Sequence, residues 1–301
     1  MGESKVFIII PNWNLKDDTI ICVRSVLAGS YAQQRVVVVD NGSSDGSVEA
    51  LSEHFGEAID LIVSCENIGF AAAVNLGIRY ALSQGADWVL ILNNDTTVAP
   101  DMLEQLMAVA TSRPDIGILG PAIFYYNQPD RVWHLGDRHP SWSPIPFRIS
   151  ANILQTEKGI LPVNYVTGCG MLIRREVFQT IGMFDEGYFM YYEDADFCRR
   201  AEQAGFSIAC VPAARMWHKV SGSTRGDISY QLYLKTRSRV RFYRRHYSLV
   251  SLGYLILNIL CSILIEAFKG NKKTVRAYIK GFYHGWRLNL QGVSEYGNNQ
   301  L

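Results

Sequence analysis

Several absences narrow the possibilities before any motif is considered. The 301 residues contain no GxGxxG after a strand and no GxxxxGK[ST], which argues against an ordinary dehydrogenase or NTPase. The six cysteines (Cys22, Cys65, Cys169, Cys198, Cys210 and Cys261) have no CxxC spacing and no evident pairing framework. The opening "MGESKVFIIIPNWN" has an apolar run too short for a secretory leader, and it reads as a strand. Both features fit a reducing cytosol and fit export poorly. No internal repeat or low-complexity tract is visible. Acids are almost missing from one region. Lys235 to Arg287 holds twelve Lys/Arg against the single acid Glu266, a balance of +11. Residues 1–234 hold seventeen basic and twenty-six acidic residues, a balance of −9. The near-zero total hides two regions facing different surroundings.

The first hundred residues alternate between two kinds of segment. "KVFIII", "RVVVVD", "IDLIVSC" and "DWVLILNND" are continuous apolar, β-branched runs, as in strands buried on both faces. Between them lie the helix patterns "DTIICVRSVLAG", a helix from Val48, and "AAAVNLGIRYALSQG". This alternation predicts right-handed crossovers and a mainly parallel sheet. Ligands of such sheets lie beyond the carboxyl ends of the strands. Polar residues gather at those ends: Pro11 and Asn12, Asp40 to Ser44, Asn67, and Asn93 to Asp95. Residues 121–162 lose periodicity and read as long loops where specificity could reside. "NYVTGCGMLIRREVFQTIGMFDE" predicts a strand and a helix stopped by Gly182, followed by a helix ending at Gly205.

Residues 248–265, "SLVSLGYLILNILCSILI", carry no charge and are flanked by "RSRVRFYRRH" and "FKGNKK". Their length just reaches the lower limit for a spanning helix. The serines, Asn258 and Gly253 lower the segment's hydrophobicity, so an in-plane or re-entrant anchor is also open. Basic flanks on both sides favour an anionic cytoplasmic leaflet. A buried core helix, at an oligomer interface for example, gives the same pattern.

Three polar clusters carry chemistry. "DNGSSDGS" places Asp40 at a strand end, where a carboxylate can accept hydrogen bonds from a base or ribose; Asx-rich turns of this kind are also common for purely structural reasons. "LILNNDTTV" puts Asn93, Asn94 and Asp95 just past a strand, an oxygen-rich turn suited to Mg²⁺ or Mn²⁺ sharing a substrate diphosphate. Helix capping is the alternative there. "MYYEDADFCRR" sets Glu193, Asp194 and Asp196 within four positions. On a helix starting near Glu193, Asp196 meets Arg199 and Arg200 at i+3 and i+4, whereas Asp194 has no cation at either spacing. Glu193 could instead stabilise the positive helix end. "RMWHKVSGST" offers His218, whose value depends on company from Asp95.

In order, "VVVVDNGSSDGS", "NIGFAAAVNLGI", "LILNNDTTV", "GCGMLIRREVFQTIGMFDEGYFMYYEDADFCRRAEQAGF" and "WHKVSGST" resemble the inverting family 2 glycosyltransferases, especially the bacterial rhamnosyltransferases of surface-polysaccharide assembly. The resemblance covers roughly residues 5–225. It implies an α/β GT-A fold, Rossmann-like, with a mainly parallel mixed sheet flanked by helices. A catalytic domain would span 1–234 and a basic, apolar, helical membrane-associating tail 235–301. Pro11 and Asp40 would contact the nucleoside, and Asn67 and Asn75 would help line the donor pocket. Asn93-Asn94-Asp95 takes the place of a DxD motif, with Asp95 on the metal and Asn94 facing ribose or phosphate. His218 matches a histidine that completes the metal site in some relatives, and Asp194 would be the general base with Glu193 as competitor. Two aspartates common in DxD motifs are asparagines here, Ala72-Ala73 replaces Gly-Gly, and Gly168-Cys169-Gly170 stands where Gly-Ala-Cys is common. These departures bear on metal binding and on the shape of the donor pocket.

The implied reaction suits the residue types. A hydroxyl attacks well only as a carboxylate takes its proton, and a departing diphosphate needs a metal and its ligands to neutralise it. The expected partners are a dTDP- or UDP-sugar, a lipid-linked glycan acceptor and the cytoplasmic membrane surface, with an oligomer conceivable through the C-terminal helices. Nucleic acid is not expected, because the tail's charges bracket an apolar segment. A nucleotidyltransferase would want a glycine-rich basic loop that "IIIPNWNLKDD" does not supply. A catalytically weak sugar-nucleotide-binding subunit of a membrane glycan synthase is the alternative from another class.

Overall fold

The computed structural model describes residues 4–138, 147–153, 159–220 and 228–288. Four strands form the parallel half of one sheet: β1 (Val6–Asn12), β2 (Gln34–Asn41), β3 (Ile59–Ser64) and β4 (Trp88–Leu92). Their order is β3-β2-β1-β4, and every contact is parallel. Helices α1 (Lys16–Leu27), α2 (Ser47–Phe55) and α3 (Phe70–Ser83) cross between them. Both faces of the sheet are covered, which explains why the strands read as unbroken apolar runs. Ile8, Ile10, Val36 and Val38 enter one core, while Phe7, Ile9, Val37 and Val39 enter the other.

The sheet continues through a mixed half. After β5 (Thr96–Val98) and α4 (Met102–Ser112), β6 (Ile116–Tyr125) lies beside β11 (Gly170–Arg174), which joins it antiparallel to β4. The long strand β12 (Ser207–His218) runs parallel to β6 and carries β5 and β10 (Leu161–Val163) antiparallel. Helices α5 (Arg175–Ile181) and α6 (Glu193–Gln203) connect β11 to β12.

The loop reading of 121–162 is only partly correct. Strand β6 passes through Pro121 to Tyr125 and turns back as β7 (Gln128–His134). Pro121 is tolerated because it pairs with Val211, where β12 bulges between Val211 and Arg215 and the ladder is already broken. Short strands β8 (Asp137–Arg138) and β9 (Phe147–Arg148) follow. Residues 139–146 and 154–158 of this stretch lie outside the described residues, as do 221–224 of the "WHKVSGST" motif and 289–301 of the tail.

Helix α7 (Ile228–His246) runs unbroken across the expected boundary at 234. It lies alongside α9 (Lys272–Arg287), with α8 (Leu249–Phe268) between them in sequence. The two helix backbones approach closely at glycines: a Cβ on Gly285 would sit 2.3 Å from the Arg237 carbonyl oxygen. Helix α8 buries Ser251, Leu255 and Ile259 and exposes Leu249, Val250, Leu257, Leu260, Leu264 and Phe268. Leu255 and Ile259 pack with Tyr188, Val240, Phe242 and Tyr243, which ties α8 to the segment before α6. Part of the tail's positive charge also points inward. Arg241 and Arg245 bind Asp185 at 2.6 and 2.8 Å, and His246 binds Asp196 at 2.7 Å.

Candidate active site

The carboxyl ends of β1, β2 and β4 open into a cleft of about 810 Å³. Its floor is a set of amides. Asn12, the last residue of β1, donates to Asp40 Oδ2 at 2.7 Å, and the Asn94 amide nitrogen donates to Asn12 Oδ1 at 3.0 Å and to Thr19 Oγ1 at 2.9 Å. Asp40 Oδ1 accepts the Ser43 backbone N–H, fixing the turn after β2. On the β3 side, Asn41 donates to Asn67 Oδ1, which also accepts the Gly69 N–H at 3.0 Å. Gly69 has φ +90°, and a Cβ there would lie 2.6 Å from the Phe189 carbonyl oxygen. The Phe70 N–H donates to that same oxygen at 2.7 Å, joining this loop to the segment before α6.

Topology brings Asp95 and His218 together from positions far apart in sequence. β5 follows Asp95 directly and pairs with the end of β12, with Thr96 opposite His218. The His218 Nε2 lies 3.1 Å from Asp95 Oδ1, and both side chains are nearly buried. His218 Nδ1 is buried without a hydrogen-bond partner, and the ring is edge-on to Trp133 at 4.7 Å. One carboxylate and one imidazole converging at the cleft wall fit a divalent cation that takes its other ligands from water and a diphosphate. Among the described residues no group of three or more His, Cys, Asp or Glu forms a closed metal cage, so the substrate and water would have to complete the shell.

The three carboxylates at the start of α6 occupy different environments. Asp196 is fully buried and paired with Arg200 at 2.8 Å, Arg245 at 3.1 Å and His246. Burial alone would raise its carboxyl, but the His246 hydrogen bond and the Arg200 and Arg245 charges outweigh burial and pull it down to about 2. Glu193 is buried at the cleft wall with Oε2 unpartnered. Burial first, then the neighbouring Asp194 and Asp196 charges, push it well above the ordinary range. That environment disfavours its charged form and so works against a role as an anionic helix-end residue. Asp194 is half-buried and faces the cleft; its Oδ2 accepts the Tyr165 hydroxyl at 2.9 Å and the Gly168 N–H at 3.0 Å. Immediately before it, Tyr191 and Tyr192 hold φ of +69° and +70°. Left-handed conformations cost non-glycine residues about 1–2 kcal/mol each, and strain of this kind concentrates at functional sites. Cys169 also lines the cleft, but burial pushes its thiol well above the usual range, which removes it as a nucleophile.

The family model for glycosyl transferase family 2 matches residues 7–182, more than half of the chain. The chain belongs to glycosyl transferase family 2. This glycosyltransferase is 29% identical over 229 residues to N-acetylglucosaminyl-diphospho-decaprenol L-rhamnosyltransferase of Mycobacterium tuberculosis, covering 69% of this chain and 73% of the relative. It is 28% identical over 289 residues to the low-salt glycan biosynthesis hexosyltransferase Agl10 of Haloferax volcanii, covering 92% and 90% of the two chains. It is 25% identical to the dTDP-rhamnosyl transferase RfbF of Shigella flexneri, covering 79% and 80%. Its fold is shared with GalNAc-T7, solved with UDP, GalNAc and Mn²⁺ (TM-score 0.64, 16% identity, 80% of this chain and 48% of that one). It is shared also with the mannosyltransferase PcManGT of Pyrobaculum calidifontis, solved with GDP-Man and Mn²⁺ (TM-score 0.58, 14% identity, 95% and 88%). The expected GT-A architecture is therefore the observed one.

Within the glycosyltransferase, Pro11, Asn67, Asn93, Asn94, Asp95, Glu193, Asp194 and His218 all line the cleft. Two expected donor residues stand outside its wall. Asn75 is buried on α3, where its amide donates to the Phe184 carbonyl and Glu186, so it braces the segment ahead of α6. Asp40 is buried behind Asn12 and acts on the cleft only through Asn12 and Ser43. The Asn94 amide nitrogen likewise turns into the framework and not toward a phosphate. Tyr165 and Trp133 were missed by sequence reasoning because both lie in stretches without a motif.

Proposed function

We propose that this glycosyltransferase transfers a sugar, rhamnose by the wording of two relatives, from a dTDP- or UDP-sugar to a hydroxyl of a lipid-linked acceptor, with inversion. The observation that carries this reading is Asp194, a half-buried carboxylate that lines the cleft and is positioned by Tyr165 and Gly168. As the acceptor oxygen bonds to the anomeric carbon, its proton passes to Asp194 and the bond from that carbon to the diphosphate oxygen breaks. Asp95 and His218 would hold a divalent cation, whose charge neutralises the leaving diphosphate when bound. The mixed oxygen and nitrogen donor pair suits Mn²⁺ somewhat better than Mg²⁺. A single displacement needs no protein nucleophile, in agreement with the neutral Cys169 thiol.

Localisation at the cytoplasmic membrane surface is supported by the exposed apolar face of α8 and the basic residues around it. One helix among the described residues, Leu249–Phe268, is long and apolar enough to cross a bilayer. Its packing beside α7 and α9, which carry charged side chains, favours an anchor lying in the leaflet plane.

The test is transfer from dTDP-, UDP- and GDP-sugars to lipid-linked acceptors with Mn²⁺ or Mg²⁺. Asp194→Asn is expected to lose at least about a hundredfold in kcat while nucleotide binding survives. Near-normal turnover in that variant, or no transfer from any donor by the unmodified chain, would overturn the reading.

A further inference from the structure

The cleft does not stop at Asp194. It continues between the C-terminal helices, where Lys235 and Arg239 of α7, Asn258 and Ser262 of α8, and Tyr278 of α9 form its wall. Most cations of α7 are engaged by the protein itself. Arg237 donates to the Gly187 carbonyl, Arg241 and Arg245 bind Asp185, and Arg244 bonds carbonyls at the end of α9. Lys235 and Arg239 differ. They stand four residues apart on the cleft-facing side of the helix. Lys235 lies 4.9 Å over the Tyr191 ring; Arg239 lies 5.5 Å from the Tyr243 ring, hydrogen-bonds the Tyr243 side chain and donates to Asn258 Oδ1 at 3.5 Å, so both are held by neutral groups. Among the described residues neither forms an ion pair with a carboxylate. Two adjacent cations facing a cavity on aromatic rings leave their charge available to an anion from outside.

Position says which anion. Tyr191, beneath Lys235, is three residues from Asp194, so the pair lies on the side of the base reached through the tail helices. The Asp95–His218 pair instead sits where β4 and β12 end. Helix α8 bounds the same space with Asn258 and Ser262, while Leu257, Leu260 and Leu264 stay exposed. A ligand with an anionic group at one end and a hydrocarbon chain matches this combination.

We propose that Lys235 and Arg239 form the subsite for the diphosphate of the lipid-linked acceptor. They hold its sugar toward Asp194 while the lipid chain leaves over the apolar face of α8. This rests on the acceptor being lipid-linked and adds where its phosphates bind.

The experiment uses the full chain in neutral detergent. The probes are an N-acetylglucosaminyl diphosphate carrying a short isoprenoid, the same sugar on an uncharged alkyl group, and farnesyl diphosphate as a competitor. K235A/R239A is expected to raise KM for the diphosphate acceptor by on the order of tenfold or more, with donor KM unchanged. The variant should also lose inhibition by farnesyl diphosphate and lose the preference for the diphosphate over the uncharged acceptor; K235R/R239K should restore both. If acceptor KM and farnesyl diphosphate inhibition stay as in the unmodified chain, the subsite is wrong. It is equally wrong if donor KM rises instead, since the pair would then serve the nucleotide. Failure of the unmodified chain to use any lipid-linked acceptor defeats the functional reading itself and takes the subsite with it.

Discussion

At the residue scale, Asp194 and Asp196 are two positions apart and serve opposite purposes. Asp196 turns inward to Arg200, Arg245 and His246, whereas Asp194 meets only uncharged donors and the cleft. The i+4 reading predicted the Asp196–Arg200 pair correctly; Arg199 takes Glu202 instead. The partners from α7, fifty residues away, have no local signal in the sequence. Asp196 has a depressed carboxyl, so its contribution to stability is present above the ordinary value of 3.8 and lost as pH falls toward about 2. That contribution is about 2 kcal/mol, at 1.36 kcal/mol per pH unit. Urea unfolding from pH 7 to pH 2 should show the gap between the unmodified chain and Asp196→Asn closing below pH 4. A gap independent of pH would contradict this assignment.

At the element scale, the segment from Asp185 to Tyr192 carries two strained tyrosines and delivers α6 to the cleft. It is held from outside by α7. Arg241 and Arg245 bind Asp185, Arg237 donates to the Gly187 carbonyl, and Ser238 donates to the Met190 carbonyl. The position of Asp194, the proposed base, therefore depends on a helix that a reading by composition assigns to a separate tail. Asp185→Asn removes the carboxylate paired at 2.6 Å with Arg241, which is only 3% exposed. Removing one member of a buried pair costs about 3–5 kcal/mol. Chemical denaturation should show that loss, and kcat should fall although Asp185 does not line the cleft. Unchanged unfolding would mean that the ion pair does not hold the segment.

For the whole molecule, two halves of unequal charge meet across one cleft. The strand ends supply polar amides, Asp95 and His218, while the tail supplies cations and an apolar face. Among the described residues, Leu257, Leu260 and Leu264 are exposed on that face. Replacing all three by Gln should leave thermal unfolding within about 1 kcal/mol, since exposed substitutions have small effects. Binding to vesicles containing anionic lipid should fall at least about tenfold, because buried apolar area sets much of interfacial affinity. Sedimentation with vesicles checks this, and undiminished binding would remove α8 as the anchor.

The sequence by itself determined the parallel half of the sheet, the polar strand ends and the helix start at Glu193. Those features are local: buried strands need unbroken apolar runs, and loops past strand ends must satisfy their own backbone groups. The tertiary structure alone decided which polar residues face the cleft. Asp40 and Asn75 look like ligand residues in one dimension, yet each finds a buried partner that only chain crossing brings near. Asp95 meets His218 because β5 pairs with β12, and α7 holds the segment before Asp194 because its arginines reach Asp185. Contacts between distant segments are what the fold adds, and here they separate the cleft-facing Asp194 from the buried, ion-paired Asp196.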